Sequence, residues 1–210
     1  MFIYSLVTVA VIMLGFAITT AFIVKIPVFD AKIFHFIATF ITPSHTRQMV
    51  SISFLGNYLF LIPGNVILIA CCIVLKNNRL AIRAAITALT SLGLMSALKH
   101  LFHRVRPEAP LVEGITNYSF PSGHALMSIS FYGFLIYIAY YQVRNSLFRN
   151  IVISFLLLLI LLISFSRIYL RVHYTSDVVA GLSIGLIWLV MIQFIMDKTE
   201  NRFSQNSLKN

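Results

Sequence analysis

The chain has 210 residues, of which 59% are apolar and only 10% charged, and its mean hydropathy of +0.90 does not suit a water-facing surface. Its formal charge of +10 comes from 16 Lys and Arg against 6 Asp and Glu. In a soluble protein that surplus would suggest nucleic acid, but with so few charges in so apolar a chain their positions matter more than their sum. Composition thus excludes a disordered chain, a disulfide-stapled secreted domain and a conventional soluble DNA-binding protein.

A membrane-crossing helix needs roughly 20 apolar residues. Residues 2–24 meet this without a charge and form the first expected span. No Lys or Arg precedes the run and no small-x-small site ends it, so it is expected to stay in the mature protein rather than to be a cleaved signal peptide. Residues 25–47 mix polar and aromatic side chains, and Ile33, Phe36, Ile37 and Phe40 recur at three- and four-residue steps. That spacing predicts a short amphipathic helix lying at the interface. Residues 49–75 are uncharged and longer than one span requires, with Gly56, Pro63 and Gly64 inside, which places the core of the second span at 59–75. Cys71 and Cys72 are adjacent there and read as buried, reduced thiols, because neighbouring helical positions point apart.

After a polar turn at 76–79, residues 80–98 make a third span ending at Lys99. A polar loop over 100–120 leads to a fourth span at 122–141, a second turn at 142–150, a fifth span at 151–165 and a sixth at 178–196, followed by a polar tail. The expected fold is a single all-α domain over 1–210: a polytopic membrane protein of six transmembrane helices, with a short interfacial helix after the first and both termini on one side. Lys and Arg do not orient it by themselves. Lys76, Arg79, Arg83, Arg144, Arg149, Lys198, Arg202 and Lys209 fall on the side of the termini, and an equal number fall on the other.

Ionisable residues at span ends in such a chain invite a functional reading, since each costs roughly 2.5–3.5 kcal/mol at mid-membrane. Three clusters qualify: Lys99-x6-Arg106-Pro107 off the third span, Pro121-Ser122-Gly123-His124 opening the fourth, and Ser166-Arg167-x5-His173-x3-Asp177 between the fifth and sixth. All lie in loops of one parity, so the topology brings them to one face. Together they supply cations, two histidines, a carboxylate and a helix start, the inventory of a phosphate-ester site. Pro121 ends the loop, Ser122 caps the helix, Gly123 admits a ligand to the backbone, and the first-turn N–H groups favour an anion. His124 beside a bound phosphate has the chemistry to protonate a leaving oxygen.

His173 and Asp177, four apart, share a helical face if the sixth span starts there. The carboxylate would then fix the imidazole tautomer and free the other nitrogen for attack. Lys99, Arg106 and Arg167 would neutralise a phosphoryl group, with Arg104 and Arg171 as rivals. Taken singly, each feature has a structural alternative: an ordinary cap, a His–Asp pair closing a helix start, or cations snorkelling to lipid head groups. His35, His45, His100 and His103 read as interfacial, and no tight His/Cys/carboxylate cluster suggests a metal.

The three motifs in this order resemble the type 2 phosphatidic acid phosphatase superfamily, whose signature is Lys-x6-Arg-Pro, Pro-Ser-Gly-His and Ser-Arg-x5-His-x3-Asp. Every signature position is present, within residues 99–177. The resemblance implies a metal-independent lipid phosphatase with no cofactor. In such a family His173 attacks phosphorus to form a phosphohistidine, Asp177 orients it, and His124 protonates the leaving lipid oxygen. Lys99, Arg106, Arg167 and the backbone of Ser122 and Gly123 would hold the phosphoryl oxygens. The compact size resembles bacterial members acting on phosphatidylglycerophosphate, phosphatidate or undecaprenyl diphosphate. The expected partner is therefore a lipid phosphate in the bilayer and not nucleic acid; oligomeric state has no signal in the sequence.

Two other readings use the same residues. A non-catalytic lipid-binding or transport protein would need the cations but neither His124 nor the His173–Asp177 pair. The vanadate-binding haloperoxidases resemble the site but are typically soluble. Setting Lys99, Arg106 and Arg167 aside as phosphate ligands breaks the charge tie. It predicts cytoplasmic termini and a site on the outer face of a bacterial cytoplasmic membrane.

Overall fold

The computed structural model describes residues 2–23 and 27–207, and every regular element among them is helical. In chain order these are α1 (Phe2–Ile18), continued by a π-helical turn Thr19–Ile23, then α2 (Pro27–Ala38), α3 (Pro43–Phe54), α4 (Tyr58–Val74) and α5 (Asn78–Phe102). A polar loop precedes α6 (Gly123–Ser128), which runs through a π-helical turn Ile129–Gly133 into α7 (Phe134–Gln142), and α8 (Ser146–Tyr169) and α9 (Thr175–Ser207) complete the chain. Several turn residues act as caps. The side-chain oxygens of Thr42, Asn57, Asn77 and Asn145 accept from His45, Leu59, Leu80 and Phe148 N–H, giving otherwise orphaned donors a partner.

Five stretches among the described residues are long and apolar enough to cross a membrane: Pro43–Val74, Asn78–Phe102, Gly123–Gln142, Ser146–Tyr169 and Thr175–Glu200. A shorter apolar helix, Val7–Phe22, stands where the first span was expected, so the multi-pass helical architecture holds while the count of six is approximate. Val24 and Lys25, at the junction of the first two expected elements, and Lys209 and Asn210 in the tail lie outside the described residues.

The expected elements are all present, with revised limits. α8 begins before the expected 151 and continues past 165, because Asn145 caps its start and because Ser164, Ser166 and Arg167 are buried inside the protein rather than marking its end. The second span, expected at 59–75, is α4 (Tyr58–Val74), and the uncharged residues before it are the end of α3 and a joint at residues 55–57. The stripe expected on α2 divides. Ile33 and Ile37 pack into a core with Ile168 and Leu170, whereas Phe36 is 67% exposed and Phe40 also faces outward. Cys72 is buried as expected, but Cys71 is exposed, consistent with the opposite directions of neighbouring helical positions.

α9 is the central strut, packing against α1, α5, α6 and α8. Its approach to α6 depends on two glycines one turn apart. A Cβ on Gly181 would lie 2.6 Å from the Ser122 carbonyl oxygen, and one on Gly185 would lie 3.0 Å from that of Leu126. Small residues at such spacing let helices meet backbone to backbone where lipid offers no hydrophobic drive. Polar ties cross between helices as well: Gln193 Nε2 donates to Thr87 Oγ1 at 3.0 Å and Trp188 Nε1 to Thr90 Oγ1 at 3.1 Å. At the opposite end of α5 from Lys99, Arg83 is buried. It donates to Tyr137 Oη at 2.8 Å, Asp197 Oδ1 at 2.6 Å and Glu200 Oε1 at 3.0 Å. It therefore ties helices together rather than serving as a free topogenic cation.

Candidate active site

Lys99 lies in the last turn of α5 and is 7% exposed, with Nζ donating to the Tyr118 carbonyl. His103 ends the helix in the left-handed region (φ 47°) and turns the chain into the polar loop. Arg104 and Arg106, two residues apart in that loop, take different partners. Arg106 donates Nε to the Asn117 carbonyl at 2.7 Å, one Nη to Asn117 Oδ1 and the other to the Val172 carbonyl at 2.5 Å. The latter Nη also lies 3.4 Å from His173 Nε2. Arg104 donates to Asp177 Oδ1 at 2.5 Å and Ser176 Oγ at 2.8 Å. It is committed to the carboxylate and does not line the cavity described below.

His173 is 2% exposed and lies in the turn before α9, which starts at Thr175. The expected pairing therefore exists, but it spans a turn and the first turn of a helix rather than one helical face. His173 Nδ1 is 3.6 Å from Asp177 Oδ2 and 3.4 Å from Ser119 Oγ. Asp177 is fully buried; its Oδ2 accepts from Ser119 Oγ at 2.5 Å and Tyr174 N–H at 3.0 Å. Burial pulls the His173 imidazole down to about 4, against the hydrogen bond and charge of Asp177, which raise it. At neutral pH the ring is uncharged. A proton on Nδ1 facing the carboxylate, the tautomer that this geometry favours, leaves the Nε2 lone pair toward Arg106.

The Pro121-Ser122-Gly123-His124 segment is a helix start, as expected. The Ser122 hydroxyl, however, makes no capping bond and is buried without a partner among the described residues. Its backbone N–H instead donates to the Asp177 carbonyl at 3.0 Å, which joins the starts of α6 and α9. The first-turn N–H groups of Gly123 and His124 have no acceptor within their own helix by geometry. A Cβ on Gly123 would lie 2.8 Å from Met95 Sδ and 3.7 Å from Lys99 Cε, so glycine brings this turn against the lysine stem. Arg167, 5% exposed in the last turn of α8, donates to Ser53 Oγ, while its Nε has no partner among the described residues.

Lys99, Arg106, Gly123, His124, Arg167 and His173 line one cavity of about 760 Å³. Ser122 and Asp177 stand behind its wall. Arg171 is not part of the lining, nor are His100 and His103, whose rings pack edge-on against Tyr118. Away from this polar head the walls are apolar, with Leu61, Val66 and Ile69 from α4 facing Ala88 and Leu92 from α5. Among the described residues no group of three or more His, Cys, Asp or Glu is placed to hold a metal ion. Sequence reasoning did not single out Ser119, Asn117, Ser53 or Asp30, which carry no motif and meet the site only through the fold.

Three cations lining one cavity suit a multiply charged anion, and the apolar extension suits an anion attached to hydrocarbon, which is the ligand of a lipid phosphatase. Residues 80–200 match the PAP2 superfamily, and the chain belongs to it. The chain is 32% identical over 168 residues to phosphatidylglycerophosphatase B of Bacillus subtilis (strain 168), covering 78% of this chain and 80% of that one. It is 29% identical over 136 residues to the putative undecaprenyl-diphosphatase YbjG of Escherichia coli (strain K12), covering 61% and 63%. The crystal structure of a transmembrane PAP2-type phosphatidylglycerolphosphate phosphatase from Bacillus subtilis superposes with a TM-score of 0.81 at 25% identity, covering 91% of this chain and 96% of that one. Aquifex aeolicus LpxE shares the fold, with a TM-score of 0.59 at 24% identity over 78% of this chain and 93% of that one. The protein is a membrane lipid phosphatase.

Proposed function

We propose that the protein dephosphorylates a lipid phosphate or diphosphate without a metal ion, through a phosphohistidine on His173, and that phosphatidylglycerophosphate is the leading substrate. The observation that carries this reading is the orientation of His173, with Nδ1 toward the Asp177 carboxylate and Nε2 in a cavity lined by Lys99, Arg106 and Arg167. Nε2 attacks phosphorus, the bond from phosphorus to the lipid oxygen breaks, and His124 gives that oxygen its proton. Water then attacks the phosphohistidine with His124 as base, releasing inorganic phosphate and restoring His173. Lys99, Arg106, Arg167 and the Gly123 and His124 N–H groups stabilise the oxygens as charge redistributes. Asp177, held by Ser119 and Tyr174 N–H, keeps the ring oriented and offsets the charge that develops on it.

The head-group choice rests on the relative matched over most of its length, which is named for phosphatidylglycerophosphate. Undecaprenyl diphosphate, in the name of a second relative, and phosphatidate are the other candidates. The whole chain acts as one domain in a bacterial cytoplasmic membrane, with the site on the outer face. With Lys99, Arg106 and Arg167 given to phosphate, Arg104 is also neutralised between Asp30 and Asp177, and Arg83 by Asp197. The remaining cations, Lys76, Arg79, Arg144, Arg149, Lys198, Arg202 and Lys209, outnumber Lys25, Lys32, Arg47 and Arg171 on the side of the site.

The test is phosphate release from each lipid by detergent-solubilised protein, with EDTA present, and acid-quenched trapping of label from the ³²P-labelled lipid. Activity should survive the chelator, and His173→Ala should lose both turnover and trapped label. A His173→Ala protein that releases phosphate at the wild-type rate, or activity abolished by EDTA and restored by magnesium, would refute the mechanism.

A further inference from the structure

Asp30 belongs to none of the three motifs. It sits on α2, more than seventy positions before Arg104, yet it is 4% exposed and takes bonds at both carboxylate oxygens. Oδ1 accepts from the backbone N–H of Thr175 at 3.0 Å and of Ser176 at 3.4 Å, which caps the first turn of α9 from another helix. Oδ2 accepts from Ser176 Oγ at 3.2 Å and from an Arg104 Nη at 3.5 Å. The other Nη of Arg104 is the one 2.5 Å from Asp177 Oδ1, and the guanidinium lies 4.2 Å from the centre of the Tyr174 ring. A carboxylate, a guanidinium and a second carboxylate thus lie in a row that ends on the imidazole of His173.

The row matters for charge. An arginine bonded to Asp177 alone would cancel the negative charge that a phosphorylated or protonated His173 needs beside Nδ1. A second carboxylate on the far side of the same guanidinium shares that positive charge, and the three groups together retain one negative charge directed at His173. The side chains of Asp30, Arg104 and Asp177 are 6%, 14% and 0% exposed, so water does little to screen them. The two oxygens of Asp30 divide the work: Oδ1 takes the backbone N–H groups of the helix start, while Oδ2 takes Arg104 together with the Ser176 hydroxyl.

We infer that Asp30 is a positioning residue for the chemistry at His173, acting through Arg104 to keep the Asp177 carboxylate available to the imidazole. The inference rests on the phosphohistidine reading above and adds to it an acidic residue from outside the motifs.

Asp30→Asn is the discriminating variant, because its amide oxygen can still accept from the Thr175 and Ser176 N–H groups while the negative charge facing Arg104 is lost. In the full-length, detergent-solubilised protein, kcat should fall about 10–100-fold, the range for removing a partner that orients a reacting group, with KM within about twofold. The melting temperature should stay within a few degrees of wild type. In an Arg104→Gln background the same change should cost no further activity, whereas losses that multiply would break the proposed route. Should Asp30→Asn not survive extraction, Arg104→Lys replaces it. That variant keeps a positive charge at Asp177 but does not bridge two carboxylates, and it should show the same fall in kcat. Wild-type kcat in either variant, alongside an inactive His173→Ala, overturns the role of Asp30 alone. An active His173→Ala overturns the phosphohistidine reading and this inference with it.

Discussion

Replacing Gly56 by alanine should slow turnover about 10–100-fold in a protein that still folds. Gly56 lies in the joint between α3 and α4, and a Cβ there would be 2.5 Å from Ile163 Cγ2 and 3.2 Å from both His124 Cδ2 and Ser128 Oγ. Ordinary contact begins near 3.4 Å, so about 1 Å must be found. Ile163 is fully buried in α8 and has little room to retreat, so much of the shift falls on the joint and on the His124 ring. Overpacking of this kind costs about 1–3 kcal/mol, and a 1 Å misplacement of a reacting group costs on the order of 100-fold in rate. The assay is kcat and KM for phosphate release, with the melting temperature measured in parallel. Ile163→Leu supplies the control, since it moves the branch from Cβ to Cγ at nearly constant volume and removes the clashing methyl. The double variant should recover most of the lost rate. Wild-type kcat in Gly56→Ala, or a loss that Ile163→Leu leaves unchanged, would refute the steric reasoning.

Two further outcomes concern ionisation and the far end of the helices. Burial lowers His173 to about 4 from an ordinary 6.5, so its ring should stay neutral down to about pH 5, with NMR of labelled histidine giving a midpoint near 4. The unfolded chain takes up that proton near 6.5, so this group's contribution weakens the fold as pH falls from 6.5 toward 4; a midpoint near 6.5 would contradict the burial argument. Arg83→Met should lower stability by about 2 kcal/mol, less than the 3–5 kcal/mol for breaking a fully buried pair, because the Asp197 side chain is 54% exposed. Thermal denaturation checks this, and kcat of the folded fraction should not change, because Arg83 lies at the end of α5 remote from Lys99.

Much of the candidate site was legible in the sequence because a lipid-facing chain permits few polar residues, and those present stand out at the span ends. Lys99, Arg106, His124, Arg167 and His173 were found in this way, and the structure lines one cavity with them. Position alone left Arg104 a rival of Arg106, since both follow the same helix, and it was the Lys-x6-Arg-Pro resemblance that chose Arg106 and gave Arg104 no role. In the structure the chain leaves α5 through a left-handed turn at His103, after which Arg104 meets Asp177 and Asp30 of α2 while Arg106 meets Asn117 and Val172. Asp30 was hidden for a related reason: on an amphipathic helix it reads as a solvated charge, and its burial depends on a helix start 145 positions later. The joint at Gly56 was partly visible, since the uncharged run was too long for one span and put its core at 59–75, but nothing in it showed that the residues before the joint close a separate helix, α3.

The cavity wall has a kinetic consequence. Ile62 and Val66 of α4 and Leu89 and Leu92 of α5 both line the cavity and face outward, with exposures between 45% and 70%. The apolar part therefore opens sideways toward hydrocarbon rather than toward water. A substrate entering by that opening keeps its tails among its neighbours and never leaves the bilayer. What the enzyme senses is then the mole fraction of phosphorylated lipid in its own leaflet, not a concentration in solution. Diluting that lipid with inert detergent or phospholipid would lower the rate even with the bulk amount held constant.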